Sequence, residues 1–274
     1  MSNSKALTLG LFAALVLLTG CTRLESRDQM NQGVKAYKSN KYADAVKHFK
    51  QAVQLDPSNQ NAQLYLATSY MIQWVPGADN PDNQKNYIAA KQEFQTVLQK
   101  EPTNNLALAS MASMAYMSAS SGTQDQKTAA LEDARKWNDR RIEVDPKDAE
   151  AYYYLGVIDW AEAFPPIQTE RVNEKINPND PGPLKNAQAK ADLTAKYGKA
   201  IDSGIAALRK CLTYDPENED AMSYMNLLLR KKADLEDSPD ASKADIAQAE
   251  DWSNKSIDMK RIKATRPAKK TEAT

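Results

Sequence analysis

Few residues in this chain of 274 could make or break a covalent bond. The single histidine, His48, stands among Lys47, Phe49 and Lys50, with no cysteine or serine in register to complete a base and nucleophile pair. There is no glycine-rich phosphate loop and no clustered Cys/His spacing, so neither a cofactor nor a metal is expected. The carboxylates that do cluster, Glu217, Glu219 and Asp220, fall where a helix begins, and the positive end of the helix dipole explains them. Cys211 occupies a small, buried place in the pattern described next and reads as structural. Lys+Arg and Asp+Glu are both 36, so no overall field invites nucleic acid. The residue inventory points away from an enzyme and towards recognition.

The elements that must position a recognition surface are helical hairpins. Between Gln29 and Pro57, the residues Gly33, Ala45 and Ala52 are small where two antiparallel helices would approach, with Gly33 expected to face Ala45. Phe49 fills the gap beneath, and Pro57 ends the second helix, so that Ser58 or Asn59 caps the next. This spacing returns four more times. The second copy carries Gln63, Leu66, Ala67 and Tyr70, then Ala90, Phe94 and Pro102; the third carries Leu108, Met111, Ala112 and Ala115, then Ala134, Trp137 and Ile142. In that copy Trp137 takes the large place one residue early and Arg141 stands where a small residue is usual, which predicts looser packing. The fourth has Tyr152, Leu155 and Gly156, then Gly204, Leu208 and Cys211, and the fifth has Met222, Met225 and Leu229, then Ala249 and Trp252.

Two copies are interrupted. In the second, Gln73 to Asp79 is a loop with a Pro-Gly turn, and Asn80-Pro81 is a cap followed by a proline at the first helical position. In the fourth, Phe164 to about Lys196 contains Phe164-Pro165-Pro166 and the run Asn177 to Pro183, both expected to be non-helical. Leu193, Tyr197, Ile201, Ile205 and Leu208 then mark a long second helix.

Gly33, Ala45, Phe49, Ala52 and Pro57 fall where the tetratricopeptide repeat pattern places them, and the chain resembles that family over about Gln29 to Ile257. The resemblance implies an all-α, right-handed superhelix (solenoid) of about five hairpins, at 26–58, 59–103, 104–147, 148–217 and 218–257. A lone hairpin leaves one apolar side bare, so stacking is obligatory. The family's register directs Tyr37, Met71, Ile72, Tyr116, Met117, Tyr153, Trp160, Leu227 and Arg230 to a concave groove suited to a protein or peptide partner. It also sets Tyr152 between helices. The insertions are equally able to fold back and cover that groove. In plan the chain is similar to repeat lipoproteins that assist outer-membrane assembly or secretion.

The N-terminus reads separately. Lys5 precedes an apolar run from Ala6 to Leu18, too short for a typical spanning helix and typical of a signal peptide. Leu18-Thr19-Gly20-Cys21 resembles the bacterial lipobox, which implies removal of 1–20, lipidation of Cys21, a tether at 21–28, and an anchor in the outer membrane facing the periplasm. A thioether-linked Cys21 would leave Cys211 with no disulfide partner. From Asp258 to the end the chain is basic, with Lys260, Arg261, Lys263, Arg266, Lys269 and Lys270, and is expected to be a flexible, solvated tail over 258–274.

Overall fold

The computed structural model describes residues 22–177, 180 and 182–266. Residues 1–21, which carry the expected signal peptide and Cys21, and the basic residues Lys269 and Lys270 lie outside the described residues. Among those described there are ten helices and no strand. They are α1 (22–38), α2 (Tyr42–Leu55), α3 (Gln60–Gln73), α4 (Pro81–Lys100), α5 (Asn105–Ser118), α6 (Gln124–Val144), α7 (Ala149–Asn173), α8 (Ala187–Tyr214), α9 (Glu219–Leu235) and α10 (Pro239–Thr265).

One turn recurs and sets the register. In Asp56-Pro57-Ser58-Asn59, Glu101-Pro102-Thr103-Asn104, Asp145-Pro146-Lys147-Asp148 and Asp215-Pro216-Glu217-Asn218, the proline stops one helix and the fourth residue caps the next. Each cap accepts a backbone N–H three residues on, from Ala62 at 3.1 Å, Ala107 at 3.0 Å, Ala151 at 3.0 Å and Ala221 at 2.8 Å. All four alanines are fully buried. The cap therefore also fixes which face of each new helix turns inward.

The chain divides into two compact units, Met1–Thr123 and Gln124–Thr274, and the boundary falls between α5 and α6. In the first unit Phe49 is fully buried with Ala45 and Leu66, and Met30, Val34 and Tyr37 pack against them. A Cβ on Gly33 would lie 2.5 Å from Cε1 of Phe49, so it is the Phe49 ring, rather than Ala45, that the glycine admits. The loop after α3 is tied down by Asn83. Its amide accepts from Val75 N at 2.6 Å and donates to the carbonyls of Val75 and Ala78, both at 2.8 Å, while Trp74 packs on Tyr87. Asn83→Ala should lower stability by about 1–2 kcal/mol, because three loop backbone groups lose their partner. A denaturation midpoint unchanged from wild type would contradict that role.

The second unit repeats the plan with different residues. A Cβ on Gly156 would meet Leu208 at 2.4 Å, so Leu208 stands to Gly156 as Phe49 stands to Gly33. Cys211 takes the place of Ala52 and is fully buried, and burial pushes its thiol up to about 12, which keeps it an inert core residue.

Three sequence expectations change here. Trp137 is not the large core residue of α6. Asn138 stands to Asp145 as Phe49 does to Asp56, and it is fully buried with its amide donating to Ala134 O at 2.9 Å. Arg141, in the small residue's place, makes polar contacts: its guanidinium spans both oxygens of Asp148 at 2.9 and 3.1 Å and reaches Glu150 at 2.7 Å. This cap is thus fixed by a bidentate ion pair.

Pro165 and Pro166 lie inside α7, not in a loop. They deprive the carbonyls of Ala161 and Glu162 of their helical partners. The helix continues because Ala163 and Ile167 are fully buried and Arg171, one turn beyond, has a buried partner described below. Tertiary burial outweighs local propensity there.

The third change concerns the segment from Asp258, which is helical through Thr265 rather than a loose tail. Its cations meet the acidic start of α9. Arg266 grips both oxygens of Glu217 at 2.6 and 2.7 Å, and Lys263 pairs with Glu219. Those hydrogen bonds hold the Glu217 and Glu219 carboxyls below the usual range. The acidic cluster and the basic segment, read apart in the sequence, explain one another.

Candidate binding cleft

The groove residues expected in the first unit lie on α1, α3 and α5. Tyr37 is half-buried and makes edge contacts with Tyr42 at 5.4 Å and Tyr65 at 5.9 Å, so it belongs to the first hairpin's core. Met71 and Ile72 end α3 and Tyr116 and Met117 end α5; of these Ile72 and Met117 are exposed. His48 is held through Nδ1 by Gln29 at 2.8 Å.

Those expected in the second unit converge. Trp160 of α7, with Leu227 and Arg230 of α9, line one cleft of about 170 Å³. Its aromatic wall is a stacked pair, Trp160 on Phe164 with centroids 4.9 Å apart. Tyr224 abuts Trp160 edge-on at 5.4 Å, and Tyr153 abuts Tyr224 at 5.7 Å, so Tyr153 adjoins the wall through Tyr224. Tyr152 instead meets Tyr214 of α8. The helical spacing from Tyr153 to Trp160 to Phe164 keeps these rings on one side of α7.

The floor is ionic. Asp234 is 1 % exposed and bonds Arg171 through one oxygen and Lys231 through the other, the latter at 2.6 Å. Arg171 also donates to the carbonyls of Asn177 at 3.1 Å and Asp180 at 2.6 Å, and Leu184 N donates to Asp234 O at 2.8 Å. The fourth-repeat insertion is therefore fastened to α9 by the same residues that floor the cleft, with Asp180 and Gly182 at its rim. Through these two residues it borders the cleft. Lys231 also lies 5.6 Å from the Phe164 ring centroid, a cation over an aromatic face. Burial lowers its pKa against the pull of Asp234, with Arg171 and Arg230 adding repulsion.

Sequence reasoning missed Phe164, Arg171, Asp234 and Tyr224 as parts of this site. The available signal was the Lys231 to Asp234 spacing on one helix face, which marks a pair but not its burial. Among the described residues no group of three His, Cys, Asp or Glu side chains could hold a metal ion. No described helix is long and apolar enough to cross a membrane.

Comparison with known proteins agrees with this architecture. Residues 27–59, which span the first hairpin and its turn, match the tetratricopeptide repeat family. Among solved structures, the crystal structure of MamA protein aligns with TM-score 0.52 at 16% identity, covering 91% of this chain and 97% of that one. MamA from residue 41 to its end, from Desulfovibrio magneticus RS-1, aligns with TM-score 0.55 at 14% identity, covering 88% and 98%. These likenesses show the fold alone: all-α, built of tetratricopeptide-like helical hairpins. A search of the curated proteins finds no match.

Proposed function

We propose that this chain is a scaffold in the bacterial envelope, held to the outer membrane on the periplasmic side by a lipid on Cys21, which captures a protein or peptide partner. The observation that carries the binding role is the convergence of Trp160, Leu227 and Arg230, from two helices, on one cleft with an aromatic wall. Large half-buried rings flanking a cationic side chain are the composition of interface anchors. The leader from Lys5 to Gly20 supports the location, since a diacylated cysteine would hold the chain at a membrane without a spanning helix.

Capture of cross-linked partners from detergent-solubilised membranes tests the reading. The Tyr153→Ala/Trp160→Ala/Leu227→Ala chain should lose a specific partner while keeping its helical content. Retention of every partner would remove the cleft from consideration. A second reading, a structural subunit that contacts partners through the insertion, is favoured by Asp180 and Gly182 at the rim; deletion of the rim with the cleft intact would then be the change that abolishes capture. For the anchor, Cys21→Ser should shift the chain from the membrane to the soluble fraction, and continued sedimentation with membranes would refute it.

A further inference from the structure

The cleft has a definite size and an uncompensated charge. A cavity of about 150 Å³ holds a benzene ring, so 170 Å³ bounded by Trp160, Phe164, Leu227 and Ile246 suits one aromatic side chain. Three cations line it, Arg171, Lys231 and Arg230, against the carboxylates of Asp234 and Asp180. Both oxygens of Asp234 are already engaged by Arg171 and Lys231. Arg230 donates its Nε to Asn226 Oδ1 at 2.9 Å, and among the described residues its terminal nitrogens bond to no carboxylate. A half-buried guanidinium placed beside a second and third cation gains most from an added anion, because partial burial weakens screening.

We infer that the cleft reads an internal acidic–aromatic stretch of its partner: one aromatic side chain seated against Trp160 and Phe164, with a neighbouring Asp or Glu carboxylate on Arg230. This rests on the peptide-capture reading and names its specificity. Aromatic seating contributes buried area, while the carboxylate decides between sequences, since a basic flank would meet like charge.

The test uses the full-length chain in detergent and three capped nonapeptides, acetylated and amidated so that only side chains carry charge. They are Gly-Ser-Gly-Glu-Phe-Glu-Gly-Ser-Gly, its Lys-Phe-Lys counterpart and its Glu-Ala-Glu counterpart. Binding is followed by the indole Nε1–H resonance of Trp160, assigned with Trp160→Phe. The Glu-Phe-Glu peptide should shift that resonance and bind at least about ten-fold more tightly than either counterpart. Arg230→Ala should reduce that preference for acidic flanks to near parity with the thermal midpoint unchanged. Equal binding of the lysine-flanked peptide, or an unaltered preference in Arg230→Ala, overturns the inference. If no peptide shifts Trp160 while the Tyr153→Ala/Trp160→Ala/Leu227→Ala chain loses its cross-linked partner, the specificity alone is wrong; if the partner is also retained, the capture reading falls with it.

Discussion

Replacing Asp234 by alanine should destabilise the Gln124–Thr274 unit by about 3–5 kcal/mol, because it leaves Arg171 and Lys231 buried without a counter-charge. Removing one member of a buried ionic group is far costlier than removing the whole group. The triple change Arg171→Met/Lys231→Met/Asp234→Leu should accordingly recover to within about 1–2 kcal/mol of wild type. Equilibrium denaturation monitored by far-UV circular dichroism reads both. A loss below about 1 kcal/mol in Asp234→Ala would mean that water reaches the cluster and that it does not hold the insertion. The same substitution should expose the 174–186 segment to proteolysis before the rest of the unit unfolds, since Arg171 fastens that segment through Asn177 O and Asp180 O.

The elements that could be read from sequence are those governed by short-range chemistry. Each proline stop and Asn or Asp cap acts within one turn of helix, and the four recurring turns mark their boundaries without tertiary information. Asn80-Pro81 likewise begins α4 as its local chemistry requires. Where the reading failed, a long-range partner decided the outcome. Pro165-Pro166 breaks helices in isolation, yet α7 passes through because Ile167 and Arg171 are buried against elements far along the chain. Trp137 appears the larger core candidate, but the register set by Asp145 turns Asn138 inward, and Arg141 completes a polar core that apolar periodicity cannot reveal.

The candidate cleft was half legible for the same reason. Trp160, Leu227 and Arg230 are findable because the family register directs them to one surface. Their partners on the floor are charged residues, which sequence reading assigns to solvent by default. Arg171 and Asp234 are far apart in the chain, and nothing in either local context announces the other. The basic stretch after Asp258 was misjudged likewise, as its partners Glu217 and Glu219 belong to the preceding helix start.

Asp159 offers the second large effect, one that depends on pH. It lies on α7, 1 % exposed, against Gly204 of α8, which Leu228 of α9 also approaches. Its Oδ1 accepts from Arg135 of α6 at 2.8 Å, which also reaches Glu162 at 3.1 Å, whereas Oδ2 has no hydrogen-bond partner. Burial raises the carboxyl to about 6 despite Arg135, and Glu162 and Asp139 add repulsion. In the unfolded chain the group titrates near 3.9. Between those values the native state holds a proton that the unfolded state has lost, so stability falls as pH rises through this window and levels off above it. Relative to Asp159→Asn, which cannot titrate, the wild type should gain about 1.4 kcal/mol per pH unit on going from about pH 6 towards 4, approaching 3 kcal/mol in all. Paired urea denaturation of the two chains at pH 4.0, 5.0, 6.0 and 7.0 measures the difference directly. A difference that is flat across this series would place Asp159 in contact with solvent or fully compensated by Arg135, and α7 would then pack on α8 without a buried proton.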